Sequence, residues 1–445
     1  MIVRAAYQFM IFRTAGNRCL AAGGRETQVG GEWAGDGPYF FLSYARTPRP
    51  DRNSPADPDF WVHKLYEDLY DEVLQLISSP NAGFMDREIR LGARWSEELT
   101  TALATCQVFV PLYSPRYFAS ENCGKEWYVF SKRVLDQRAA KPETRMAIVP
   151  ALWVPVREES LPEVAKAIQF NHHSLGDRYG RVGFSGIIKL DRFNDDYVMA
   201  VQGLARRIVE VADRTQIKPG RRMDFDTSES AFGNSEVHGM TEKSMQLTAV
   251  TIDTAHLPDG RSEQYYGKTP RQWRPYVPAA EMPIVDYAIE LARYLGCQPR
   301  VTTLQEHLRD AARGVDAPGL FLIDVWAATS QGCCDDLRRL DELDQGWTSV
   351  LHPWNREDDQ TCTANGLREN VEACLGRKLA GIPYRLQRQA VEIETIEDFG
   401  DVMAPMIMAM RRRFMKRTAP KPPDPATIDR PRLRARGDDD DEGSR

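Results

Sequence analysis

The stretch Tyr39–Arg46, YFFLSYAR, decides the reading of the fold. Its first six residues form an apolar run, entered through the Gly-rich GGEWAGDGP and left through the polar, Pro-rich ARTPRPDRNSPADPD. A run this short and this apolar predicts a strand buried on both faces of a sheet. Outward from it, Trp61, Leu65, Leu69, Val73 and Ile77 recur at steps of four, a helical stripe facing a core over 60–77. The alternation continues with a loop around 84–94, a helix over 95–104, the strand Val108–Tyr113 (VFVPLY) and a helix over 122–135. A strand over 147–154, a short strand near 184–190 and a helix over 197–211 follow. Strands alternating with helices imply βαβ crossovers and a mostly parallel, doubly wound sheet. Pro111 donates no ladder hydrogen bond, so an edge position, a bulge or late-starting pairing is expected there.

The 445 residues allow two to four domains at roughly 100–200 residues each. Residues 1–37 lack a sustained period and read as a leader without a fold. The first α/β unit occupies 38–213, and the polar, aperiodic segment 214–244 reads as a linker. A second, irregular α/β domain is expected over 245–417. Its elements are a strand at 247–252, a helix at 284–295, the strand LFLIDV at 320–325, helices at 337–343 and 370–379, an apolar stretch at 350–354 and a final helix at 399–415. Residues 418–445, rich in proline and ending in an acidic block, have too few apolar side chains to pack and read as a disordered tail.

Composition excludes several function classes. The formal net charge is −6, so no global cationic field attracts nucleic acid or an anionic membrane. No apolar run approaches the roughly 20 residues of a spanning helix. Eight cysteines are scattered without CxxC pairs, and the seven histidines lie off ligand spacing from them. The expectation is therefore reduced thiols, a cytoplasmic protein, no metal, and packing roles for Cys333 and Cys334. No GxGxxG follows either first strand, and GxSxG is absent, so neither a dinucleotide cradle nor a triad hydrolase is indicated. GRSEQYYGKT (260–269) places six residues between its glycines where a phosphate-binding loop needs four.

Four strings stand in register along the first unit: YFFLSYAR, FMDREIRLGARWSEELTTAL, QVFVPLYSPRYFASENC and GKEW. Together they resemble the Toll/interleukin-1 receptor (TIR) domain family over roughly 38–213, which implies a flavodoxin-like parallel sheet. YFFLSYA looks like the family's box 1, and FMDREIRLG (84–92) like its BB loop. YGKTPRQWRPY, joined to a second α/β unit, makes the whole chain resemble the TIR-like proteins of actinobacterial FxSxx-COOH peptide gene clusters, whose products are radical-SAM-modified peptides.

The resemblance implies a candidate site. In enzymatic members a glutamate on the helix after the third strand, four residues past a Trp, cleaves the nicotinamide bond of NAD. The chemistry suits one carboxylate: nicotinamide leaves as a neutral amine, and the carboxylate stabilises the developing ribosyl cation. The matching residue is Glu126, with Arg46, Phe84 and Arg94 bordering the nucleotide, but Asn122 stands where the motif has Trp. The alternative is a solvated helix residue, or one paired with Arg46 or a basic group of the BB-like loop. Asp86, Arg87, Glu88, Arg90 and Gly92 form a loop of mixed charge, which the family uses for TIR–TIR contacts and which otherwise is a solvated loop.

Three readings therefore compete. The first is a TIR signalling or interaction protein acting by self-association or partner docking, with no cofactor required. The second is an NAD glycohydrolase, with NAD as the substrate. The third is a binding protein for peptide-maturation partners. In the second domain Asp324, at the end of LFLIDV, lies where open sheets place ligands, whereas Trp273, Trp326, Trp347 and Trp354 read as core or loop anchors. Arg411–Arg413 with Lys416 and Arg417 read as a cationic helix end.

Overall fold

The structure, a computed structural model, describes residues 37–48, 57–86, 93–168, 170–232, 244–252, 254–258, 260–383, 386–387 and 393–418. The expected leader and tail fall almost wholly outside them. Four parallel strands, β1 (Phe40–Ser43), β2 (Gly83–Met85), β3 (Val108–Tyr113) and β4 (Ala151–Leu152), form a sheet in the order β2-β1-β3-β4. The apolar run thus lies beside the sheet's centre, and Phe41 is opposite Phe84 on one side and Phe109 on the other. Its ring stacks on both, at 5.4 and 5.7 Å between centroids.

Helices α1 (Phe60–Leu76), α2 (Ala93–Thr105), α3 (Glu121–Ala140), α4 (Asp177–Ile187) and α5 (Asn194–Thr215) surround this sheet. Of the five-residue stripe predicted for α1, Leu65, Leu69 and Val73 lie on the face it buries. Two elements differ from the sequence reading. Residues 184–190 are not a strand: α4 runs to Ile187, kinked at Gly183, whose φ of 70° and close approach to the Trp153 carbonyl leave no room for a side chain. The aromatic and branched residues that suggest a strand there are instead the buried face of a broken helix. The strand expected over 147–154 narrows to Ala151–Leu152, with one isolated bridge between Phe109 and Ile148. That register sets Pro111 opposite Pro150, so the β3–β4 ladder has a gap where neither residue donates, inside the sheet and not at its edge.

The second sheet has β5 (Ser244–Val250), β6 (Gln298–Val301), β7 (Gly319–Ile323) and β8 (Thr348–Leu351), all parallel, in the order β6-β5-β7-β8. In chain order this is second-first-third-fourth, the topology of the first sheet. Helices α6 (Ile284–Tyr294), α7 (Leu304–Ala312), α8 (Gln331–Glu342), α9 (Leu367–Ala380) and α10 (Ile396–Thr418) accompany it. The described residues are therefore α/β, with two parallel four-stranded sheets.

The units are not held apart by a solvated linker. Ile217, Phe225, Ala231 and Phe232 are buried, and Phe232 packs on Trp127 and Tyr117 of the first unit. One buried apolar cluster runs from Phe40 to Met410 through both units, and α3 packs against α6 and α10. A second cluster lies on the far face of β7, around Phe321, Ile323 and Leu337. It contains the pair Cys334–Cys374, bonded as a disulfide with Cα atoms 5.5 Å apart. The expectation of uniformly reduced thiols is thus corrected: residues 40 positions apart are brought together by α8 on α9, which cysteine spacing alone does not reveal. Cys333, its neighbour, stays free.

Candidate functional site

β1 ends on Ser43, on the same face as Phe41, because side chains alternate along a strand. α3 covers that face. Its first turn is capped by Ser120, whose hydroxyl accepts from the Cys123 N–H at 3.3 Å. Trp127 enters the core against Phe109, and the preceding residue, Glu126, turns toward the end of β1. The Ser43 hydroxyl donates to Oε2 of Glu126 at 2.5 Å. The Tyr117 hydroxyl lies 2.9 Å from Ser43 Oγ, and either hydroxyl can be the donor. The result is a relay, Tyr117 to Ser43 to Glu126, buried at the carboxyl ends of β1 and β3. In open α/β sheets with this strand order, that crevice is the usual place for a ligand.

Glu126 is only 8 % exposed. Burial raises its carboxyl pKa to about 8, the Ser43 bond opposes that rise, nearby Asp86 adds to it and Arg46 subtracts. Near neutral pH the carboxyl is therefore mostly protonated. This overturns the reading of Glu126 as a solvated or ion-paired helix residue: the guanidinium of Arg46 pairs instead with Asp86, binding both its carboxylate and its carbonyl oxygen. Asn122, the position one turn earlier, is exposed.

The other predicted residues separate. Arg46 and Asp86 meet beside Glu126, holding the first residue after β2 to the end of β1. Phe84 lies in β2 with its ring on Phe41, a sheet-packing role. Arg87, Glu88, Arg90 and Gly92, and the side chain of Arg94, lie outside the described residues. Ser43 and Tyr117 were missed by sequence reasoning. The available signal was a lone hydroxyl residue ending an otherwise apolar strand.

In the second unit, Asp324 follows β7, 2 % exposed, accepting from the Trp326 N–H at 3.1 Å, its pKa raised by burial to about 6. The space beside it is filled by Arg261, paired with both Asp358 oxygens at 2.8 and 2.9 Å and stacked on Tyr265 and Trp326. Trp326 donates to Thr361 at 2.8 Å, while Trp347 and Trp354 lie under Arg417 and Arg368. These tryptophans anchor loops and helix ends. Among the described residues no group of three or more His, Cys, Asp or Glu could hold a metal ion, and no helix is long and apolar enough to cross a membrane.

Comparison with known proteins agrees with the geometry at the first sheet. No curated protein and no solved structure matches the chain. The TIR domain family does match, over residues 40–179, from the start of β1 into α4. The segment that builds the first parallel sheet and its buried carboxyl site is thus similar to the TIR domain family, over about a third of the chain.

Proposed function

We propose that this protein acts in signalling through protein–protein contact, with its TIR domain self-associating through the loop that leaves β2. TIR domains serve signalling and protein interaction at the level of the family. The observation that carries the reading is the closure of the carboxyl site. Glu126 is buried and bonded by Ser43, burial raises its pKa to about 8, and Asn122 offers no aromatic platform. Stabilising a ribosyl cation calls for an ionised, accessible carboxylate. The Arg46–Asp86 pair fixes where the loop begins, and the charges that follow in sequence, Arg87, Glu88 and Arg90, are of mixed sign and suit complementary docking.

Sedimentation of the full chain over a range of concentrations tests this. Asp86→Arg sets two cations side by side, and is expected to weaken self-association at least ~10-fold, about 1.4 kcal/mol. Adding Arg46→Asp restores the pair with its charges exchanged and is expected to recover much of the loss. Unchanged association in both variants contradicts the reading.

A second reading, NAD glycohydrolysis by Glu126, is favoured by one fact: the residue stands at the carboxyl ends of β1 and β3, beside Arg46 and Asp86. It requires loss of the carboxyl proton and of the Ser43 contact. The further reading of a partner in a peptide-maturation system rests on YGKTPRQWRPY, where Tyr266, Trp273 and Tyr276 are buried and serve packing. Co-purification with the products of neighbouring genes tests it, and a cytoplasmic site of action belongs to the same proposal.

A further inference from the structure

The chain that leaves α5 is laid along α3 as a strap, residues 216–232. Near its start the side-chain amide of Gln137 on α3 donates to the Lys218 carbonyl, and its oxygen accepts from the Lys218 N–H at 3.0 Å. Gly220 sits so close to Arg133 that a Cβ there would meet the arginine side chain. Farther along, Lys125 donates to the Asp226 carbonyl at 3.1 Å, and the Ala231 N–H donates to the Gly124 carbonyl at 2.9 Å. The contacts descend α3 from 137 to 124 while the strap advances from 218 to 231, so the two run antiparallel. The strap lies outside residues 40–179, the part that matches the TIR family.

Its far end reaches the relay. Phe232, 6 % exposed, sets its ring against Tyr117, Phe118 and Trp127, with centroids 5.5, 5.3 and 5.7 Å away. Tyr117 is the residue whose hydroxyl meets Ser43, and Trp127 follows Glu126 in the chain. Nearer its start, the strap is tied to the second unit: Arg221 pairs at 2.6 Å with Asp398, in the first turn of α10. One segment thus touches the second unit at 221 and the relay at 232. The fit at the relay end leaves no slack, since a Cβ on Gly124 would overlap the Ser230 hydroxyl. Close-packed elements transmit a displacement to their neighbours.

We propose that this strap is a conformational latch, which holds the Tyr117–Ser43–Glu126 relay closed and makes that closure depend on the seating of the second unit. Phe232 fixes the Tyr117 ring, the Tyr117 hydroxyl meets Ser43, and Ser43 holds the Glu126 carboxyl. Lifting the strap frees Tyr117 and the first turns of α3 and opens the relay to water. Phe232 and Arg221 are positioning residues, acting through Tyr117 and through the strap. The latch does not rest on the contact reading, and holds whether or not the loop after β2 self-associates.

Hydrogen exchange of the full chain, followed over 40–46 and 115–128, tests it. Gly124→Ala is the wedge: inside a helix this exchange ordinarily stabilises, but here it pushes Ser230 off α3. Exchange over both segments is expected to rise at least ~10-fold, with β7 exchanging as in the parent. Adding Ser230→Gly removes the obstructing side chain and is expected to return most of the protection. Phe232→Ala is expected to expose the same segments, and Phe232→Leu, a milder change, to do so to a smaller extent and to carry the test if either larger change unfolds the chain. Arg221→Ala, remote from Tyr117, is expected to raise exchange over 115–128 about 3-fold, the scale of an exposed ion pair. A merely local pair would alter only the first turn of α10. The proposal is overturned by parent-like exchange over 40–46 and 115–128 in the folded Gly124 and Phe232 variants, by failure of Ser230→Gly to restore protection, or by an Arg221→Ala effect confined to α10.

Discussion

At the scale of single residues, Glu126 shows how burial sets chemistry. A carboxyl moved from water to the end of a parallel sheet, with one serine hydroxyl as its donor, holds its proton to about pH 8. The linkage follows. Because the folded pKa lies above the ordinary value of 4.5, this group's contribution is fully present below about pH 4.5 and is lost as pH rises through 8. Glu126→Gln keeps an acceptor for Ser43 but cannot ionise. Relative to the parent, the variant is therefore expected to gain stability with rising pH, on the order of 5 kcal/mol in total between pH 4.5 and 9. Denaturant unfolding at pH 5, 7 and 9 measures this, and a difference that stays flat with pH contradicts it. The position of Glu126 could be read from sequence through its motif spacing, but its surroundings could not. Ser43 and Tyr117 lie 83 and 9 positions away, and only the packing of α3 on β1 and β3 joins all three.

At the scale of elements, runs buried on both faces announced themselves. YFFLSY, VFVPLY and LFLIDV each carry a strand, Phe40–Ser43, Val108–Tyr113 and Gly319–Ile323, because each run stays apolar up to its last residues. β6, Gln298–Val301, went unseen because it is an edge strand whose side chains are exposed or half-buried, with Pro299 inside it. β2 is only three residues long, Gly83–Met85, too short for any period. The Cys334–Cys374 bond had no local signal either. It closes a loop of sequence separation 40 between α8 and α9, for which chain entropy gives about 4 kcal/mol of stabilisation. Reduction is expected to lower the Tm of the chain by several degrees. Thermal unfolding with and without reductant measures this, and an identical Tm contradicts it.

At the scale of the whole molecule, two sheets of the same topology share one buried cluster, an arrangement that composition and periodicity do not reveal. Their junction is ionic as well as apolar. Lys132 on α3, its side chain 2 % exposed, pairs at 2.9 Å with Asp136 on its own helix and with Asp401 on α10. Tyr287 on α6 donates to Asp136 at 2.6 Å. Lys132→Ala leaves two carboxylates without their cation and is expected to cost about 3–5 kcal/mol. The expected sign is earlier proteolytic cleavage between the units, and equal protease resistance contradicts a coupled junction. On the proposed reading the TIR-like segment works by contact, with Glu126 closed off as part of the fold. The most direct measurement is nicotinamide release from NAD by the concentrated full chain at pH 7, beside Glu126→Ala. No release above background is expected from either protein; release by the parent that disappears in the variant would contradict a role by contact.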